Sequence, residues 1–207
     1  MARIFEVSAP IRQLCNWLII GGSVLICLMV VFARLPGTEL LGIRPNWLLI
    51  WVVVWSVKRT VWQGAIAGLA LGLIQDGMIA LDTITFLGDP NVSDPNIMPI
   101  DEVFAIYPSH ILSLVIVGVL TAKIQKQRYI QEDFISIALI VFGMAVIAET
   151  VTAIQYSLEG IRDLTLVWEE HQRIALSSAI LSSLWAPVVY YPLNRWWEYI
   201  NNIEQNS

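Results

Sequence analysis

Two acidic side chains inside apolar runs are the strongest candidates for chemistry in this chain. Asp76 lies within GLALGLIQDGMIAL, and Glu149 lies within ALIVFGMAVIAETV. A carboxylate in such a run is costly in lipid, so it normally faces protein or a wet cavity. There it can contact a substrate, carry a proton in a transporter, or hold helices together through hydrogen bonds. The residues alone leave these three roles open.

Catalysis would need a nucleophile with a base, paired carboxylates or a set of metal ligands. The two histidines, His110 and His171, show neither H-x-x-x-H nor H-E-x-x-H spacing. Asp76 and Glu149 could pair as acid and base, but no pattern places them together. The acidic segment DPNVSDPN lacks the spacing of an EF-hand loop. We therefore predict no enzymatic activity, no metal site and no cofactor.

Composition places these acids in a membrane protein. The chain has 207 residues, of which 57% are hydrophobic and 14% are charged; soluble domains carry about 25% charged residues. No basic tract of the kind that binds nucleic acid is present. Cys15 and Cys27 share one apolar run and are expected to be small buried hydrophobes.

Hydropathy predicts an all-α membrane protein with six transmembrane helices in a single domain, residues 1–207. The expected helices cover about residues 14–33, 44–57, 62–80, 104–122, 134–156 and 174–193. Pro45 is expected to open the second helix, and polar residues from 157 to 173 are expected to separate the last two. Residues 81–103 carry several acids and no Lys or Arg, which predicts an external loop.

Three glycines, Gly64, Gly68 and Gly72, recur every four residues and predict a helix-packing seam. On a helix they form one stripe of bare backbone, and small residues at this spacing let two membrane helices approach closely. Asp76 lies one further step along the stripe, as a buried acid expected to lock the contact.

The second predicted helix carries Trp47, Trp51 and Trp55 on one face. Such a face favours either anchoring in the lipid interface or docking of a partner helix. The helix is short for about 30 Å of hydrocarbon. It must therefore extend into neighbouring residues, thin the bilayer, or pack against other helices.

Charge predicts the orientation of the chain. With six helices, one side collects eight of the twelve basic residues: Arg3, Arg12, Lys58, Arg59, Lys123, Lys126, Arg128 and Arg195. The positive-inside rule then places both termini in the cytoplasm.

The stretch from Arg44 to Asp76 resembles the MreD family of rod shape-determining membrane proteins. Arg44 and Pro45 match the start of the family's motif, while Asn46 stands where the family more often has Asp. Gly68, Gly72 and Asp76 match the later glycine-spaced motif that ends in Gly-x-x-x-Asp. After Asp76 the chain departs from the family, because residues up to Glu102 form a long acidic segment.

The resemblance implies a non-enzymatic scaffold in the bacterial inner membrane that links peptidoglycan synthesis to the cytoskeleton and maintains cell shape. It implies membrane lipid and MreC-like, MreB-like and RodA-like proteins as partners. It also implies a six-helix fold similar to the substrate-binding subunits of energy-coupling-factor transporters. The alternative function is therefore a small-molecule-binding subunit of a vitamin-type transporter.

Overall fold

The computed structural model describes residues 9–33, 43–87, 109–125, 133–158 and 164–205, and every regular element in these ranges is a helix. The helices are α1 (Ala9–Ala33), α2 (Trp47–Ser56), α3 (Val61–Leu87), α4 (His110–Gln125), α5 (Phe134–Leu158) and α6 (Leu164–Gln205). The chain divides into two compact units, Met1–Gly37 and Thr38–Ser207. A single domain spanning residues 1–207 stays a prediction.

Four of the described helices contain segments long and apolar enough to cross a membrane. These segments are Leu14–Ala33, Val61–Leu81, Phe134–Gln155 and Gln172–Tyr199. The apolar helices α2 and α4 are shorter. Four candidate spans and two short apolar helices are consistent with an integral membrane protein of the predicted all-α class.

The first unit contributes α1, whose apolar segment covers 20 residues. Most of its large side chains are exposed, including Trp17, Leu25 and Phe32. Cys27 is buried and Cys15 is partly buried, and neither forms a disulfide. A helix with apolar side chains around most of its circumference is suited to a lipid environment.

In the second unit, α2 is the most buried helix described. Nine of its ten residues are buried, and it packs against α3, α4, α5 and α6. Ten residues rise about 15 Å, half of the hydrocarbon thickness. Of the three expected ways to accommodate this short helix, the structure shows packing against its neighbours.

Several predicted helix bounds are wrong. The second helix was expected over residues 44–57 with Pro45 inside it, but α2 begins at Trp47 because Asn46 caps it. Residues 81–87, expected in the acidic loop, continue α3; residues 88–103 lie outside the described residues. The fourth helix was expected from residue 104, yet Ser109 is not helical and α4 begins at His110.

The sixth helix is longer than expected at both ends. Its predicted bounds were 174–193, whereas α6 runs from Leu164 to Gln205. The expected polar loop over residues 157–173 is therefore helical from Leu164 onward. Its 42 residues rise about 63 Å, twice the hydrocarbon thickness. Hydropathy detects only the part of a helix that lies in lipid, which explains the difference.

Contacts between helices define the two ends of the second unit. Asn46 meets Ser182 at the start of α2, and Lys58 meets Asn194 just beyond its end, so α2 and α6 run in the same direction. Helix α4 runs antiparallel to α3. We call the end that holds the α2–α3 turn, residues 57–60, the basic end; Asp76 lies at the other end.

Candidate functional site

The three seam glycines of α3 contact the backbone of α4. A Cβ atom added to Gly64 would lie 2.5 Å from the carbonyl oxygen of Gly118, and one added to Gly72 would lie 2.5 Å from Cα of Ile111. A Cβ on Gly68 would overlap the carbonyl group of Leu114. Real Cβ atoms do not approach other atoms this closely, so only glycine fits at these positions without a shift of the backbone.

The contact is reciprocal, because α4 contributes a glycine of its own. A Cβ on Gly118 would overlap the carbonyl group of Gly64. The predicted seam did not include Gly118, although a glycine inside an apolar helix indicates a close approach of backbones. Ser56 and Thr121, fully buried at 0% and 1% exposure, add small polar side chains to α2 and α4. The seam therefore brings α3 and α4 into direct backbone contact.

Asp76 lies where the seam ends, and its carboxylate caps the first turn of α4. Its Oδ1 atom accepts a hydrogen bond from the backbone N–H of His110 at 2.9 Å and lies 2.9 Å from His110 Nδ1. Its Oδ2 atom accepts a hydrogen bond from the Ser109 hydroxyl at 2.9 Å. The first N–H groups of a helix lack partners within the helix, and a negative charge there is favourable.

The start of α4 has further local hydrogen bonds. Ser109 accepts a hydrogen bond from the backbone N–H of Ile111 through its Oγ atom, at 3.2 Å. The side chains of Asp76 and His110 are 27% and 23% exposed, so they are partly buried rather than enclosed. The sequence pattern around His110 did not indicate its contact with Asp76.

Glu149, the second predicted intramembrane acid, is partly buried on α5. Ser178 of α6 and His110 both lie close enough to its carboxylate to interact with it. His110 therefore interacts with both Asp76 and Glu149, which sequence analysis did not place together. The three ionisable groups come from three different helices, and each has a polar neighbour.

The family-motif residues precede and cap α2. Arg44 is exposed and Pro45 is buried. Asn46 accepts a hydrogen bond from the backbone N–H of Leu49 through Oδ1 at 3.0 Å, and its own N–H donates to Ser182 Oγ at 3.1 Å. Asp can accept the same capping hydrogen bond. The Asn at position 46 thus preserves what an Asp there would do.

The predicted tryptophan face packs within the chain. Trp47 is 9% exposed, and its ring centroid lies 5.2 Å from that of Trp185 on α6. Trp51 is buried and stacks on Trp55, which contacts Trp197. Among the described residues, therefore, this face is covered largely by α6 rather than by lipid.

The α2–α3 turn is held against α6 at the basic end. Lys58 donates a hydrogen bond to Asn194 Oδ1, and the guanidinium of Arg59 lies 4.2 Å from the centroid of Trp55 and 5.8 Å from that of Trp197. Burial lowers the pKa of Arg59 from its ordinary value. Guanidinium groups are attracted to indole rings, so the turn combines polar and cation–π contacts.

The arrangement at Asp76 connects α3 to the start of α4 through hydrogen bonds. In the described ranges no group of three or more His, Cys, Asp or Glu side chains is placed to hold a metal ion. The polar groups at the starts of α2 and α4 bind backbone N–H groups of the chain itself. These contacts define the candidate site as a helix junction.

The apolar segments and the helix junction define a multi-pass integral membrane protein whose intramembrane polar groups connect its helices. A family model described as rod shape-determining protein MreD matches residues 11–84, which include α2 and most of α1 and α3. The match confirms the predicted resemblance to this family over residues 11–84. Neither a curated protein nor a solved structure matches the chain. The predicted similarity to transporter substrate-binding subunits is therefore unsupported.

Proposed function

We propose that this protein is a non-enzymatic scaffold of the bacterial cell-elongation machinery. It crosses the inner membrane six times with both termini in the cytoplasm, and it links peptidoglycan synthesis outside to the cytoskeleton inside. Its proposed partners are MreC-like, MreB-like and RodA-like proteins. The family match supports a role in cell shape.

The observation that carries the proposal is the use of polar groups at the helix junction. Asp76 accepts hydrogen bonds from the start of α4, and Asn46 accepts one from the start of α2. These side chains stabilise the positions of two short helices. A protein whose intramembrane polar groups connect its own helices presents a defined surface to partners, as a scaffold requires.

The proposed orientation rests on the basic end. Four of the residues expected in the cytoplasm, Lys58, Arg59, Lys123 and Arg195, lie in described segments at this end of the second unit. Basic residues accumulate on the cytoplasmic side of membrane proteins. Reporter fusions to the two termini test the orientation directly.

Matched leucine substitutions test whether assembly depends on the junction. Gly68→Leu should separate α3 from α4, whereas Gly77→Leu on the same helix adds a side chain where no atom lies within 4 Å. We expect Gly68→Leu, and not Gly77→Leu, to lose partners that co-purify in mild detergent and to fail to restore rod shape in a strain lacking its own MreD protein. Equal recovery of partners by both variants would argue against the scaffold proposal.

The Asp76→Asn variant distinguishes a scaffold function from a proton-coupled transport function. Asn keeps an acceptor for the α4 backbone and removes the titratable proton. A scaffold should therefore retain rod shape with this variant, whereas a proton carrier should lose its activity. For the vitamin-type transporter subunit, the discriminating measurement is native mass spectrometry of the purified protein: a bound small molecule would favour that function over the scaffold.

A further inference from the structure

A stripe of exposed residues on α6 changes from apolar to cationic towards the basic end. Leu184, Val188, Tyr191, Arg195 and Tyr199 are all exposed. Their spacings of four, three, four and four residues place them on one helix face. Leu184 and Val188 lie within the apolar part of the candidate span Gln172–Tyr199, and Arg195 and Tyr199 lie at its end.

The cationic part of the stripe borders a shallow groove of about 780 Å³ that is lined by residues of α6 alone and is open on its other sides. Its lining consists of Tyr191, Pro192, Arg195, Trp196, Glu198 and Tyr199. Ligand sites in proteins commonly have volumes of about 300–1,000 Å³. The groove has a volume in this range, and it is open to the surroundings as a lipid site on a protein surface is.

Arg195 is the cation of this groove, and the nearby acid already has a partner. The Glu198 carboxylate accepts a hydrogen bond from Asn194 Nδ2 at 2.8 Å. Asn194 in turn accepts the hydrogen bond from Lys58. Among the described residues, no hydrogen bond or ion pair involves the Arg195 guanidinium. Its five N–H donors are therefore available to an oxyanion.

The basic end as a whole carries an excess of positive charge, whereas the groove itself is lined by one cation, Arg195, and one acid, Glu198. The described charged side chains at the basic end are Lys58, Arg59, Lys123 and Arg195 against Asp133 and Glu198. Aromatic rings flank the groove as well: Phe134 of α5 lies 6.0 Å from Tyr191, and Trp196 lies 5.8 Å from Tyr199. Aromatic rings beside basic residues are typical of the level of lipid headgroups.

We propose that this groove binds the phosphate headgroup of an anionic phospholipid. Arg195 donates charge-assisted hydrogen bonds to the phosphate, since a guanidinium matches phosphate geometry. An acyl chain follows the apolar part of the stripe along Val188 and Leu184. That apolar continuation favours a lipid over free phosphate, and the excess of positive charge favours an anionic lipid over a zwitterionic one.

Native mass spectrometry of the full chain in a non-ionic detergent tests the proposal. Phosphatidylglycerol is titrated into wild-type protein, Arg195→Ala and Arg173→Ala, with phosphatidylethanolamine and inorganic phosphate as separate arms. Arg173 is the matched control, because it is an exposed arginine near the other end of the same candidate span. Both variants change exposed positions, and helical circular dichroism before titration shows that each is folded.

We expect Arg195→Ala to weaken phosphatidylglycerol binding about tenfold, which is the loss of one charge-assisted hydrogen bond, while Arg173→Ala binds as wild type. Arg195→Lys should recover part of the affinity. Equal binding by Arg195→Ala and wild type would overturn the site. Equal affinity for phosphatidylethanolamine would overturn the preference for an anionic lipid, and equally tight binding of inorganic phosphate would overturn the lipid as occupant.

Discussion

Replacing Gly68 with alanine is the smallest change that tests the contact between α3 and α4. The added methyl group would overlap the Leu114 carbonyl group and approach Val115 Cα to 2.8 Å. An ordinary contact needs more than 3.4 Å, so the two helices must move apart locally. The neighbouring atoms belong to backbone, and they cannot yield by a change of rotamer.

The expected magnitude follows from two opposing terms. Overpacking of a tightly packed site costs about 1–3 kcal/mol. Alanine also favours a helix over glycine by about 1 kcal/mol. Gly77→Ala on the same helix gains the second term alone, because no atom lies within 4 Å of an added Cβ. The free energy of unfolding of Gly68→Ala should therefore lie about 1–3 kcal/mol below that of Gly77→Ala.

Unfolding of the purified protein by sodium dodecyl sulfate in mixed micelles, followed by circular dichroism, measures this difference. Comparing two Gly→Ala variants on one helix cancels the propensity term, whose size in a micelle differs from that in water. Gly143→Ala on α5, where an added Cβ also meets no atom within 4 Å, serves as a second control. Equal unfolding free energies for Gly68→Ala and Gly77→Ala would refute close backbone contact at the seam.

Three further predictions use the same unfolding measurement. Asp76→Ala removes the cap of α4, so it should lower the free energy of unfolding by about 1–2 kcal/mol and speed hydrogen exchange at the start of α4. Asp76→Asn should lower the free energy of unfolding by less. Unchanged hydrogen exchange in Asp76→Ala would contradict the capping role. Asn46→Ala should cost about 1 kcal/mol and Asn46→Asp close to nothing, because Asp also caps α2; equal losses would exclude capping by this side chain. Trp47→Ala should lower the free energy of unfolding by about 3–5 kcal/mol, because it leaves a cavity against Trp185. Trp62→Ala, at a 75% exposed site, should change it little. Equal changes in the two variants would contradict the buried position of Trp47.

The seam shows what spacing can predict. Glycines four residues apart on an apolar helix identify the face that packs, because the helical period aligns them. Spacing does not identify the neighbour, since the contact of Gly64 with Gly118 joins residues far apart in the chain. For the same reason, residue spacing did not indicate the contact of Asp76 with His110, because that contact depends on the relative position of two helices.

Helix ends were predicted less well, and α6 shows why. Its apolar middle was found, but the helix continues through charged and aromatic residues at both ends. Hydropathy measures the match to lipid, whereas a helix ends where its hydrogen bonds end or where a side chain caps it. At α2 the cap is Asn46, and its effect on the start of the helix outweighed the preference of Pro45 for the first turn.

The tryptophan face shows a different limit. A row of tryptophans every four residues predicts one aromatic face, and the structure has one. Composition alone cannot distinguish an aromatic face that meets lipid from one that meets protein. The length of α2 distinguishes the two cases. A helix of about 15 Å cannot reach water at both ends across a bilayer, so its faces are readily covered by longer neighbouring helices.

The position of Asp76 follows from the geometry of the seam. Each four-residue step along α3 meets α4 about one turn closer to its start, so that Gly64, Gly68 and Gly72 face Gly118, Leu114 and Ile111 in order. The next step on α3 is Asp76, and the next position on α4 is its first turn. Backbone N–H groups at a helix start have no partner in lipid and must be satisfied by protein or water. Asp76, one four-residue step beyond Gly72, therefore lies where the first backbone N–H groups of α4 need a hydrogen-bond acceptor. The antiparallel contact of α3 with α4 explains both the glycine spacing and the position of the acid.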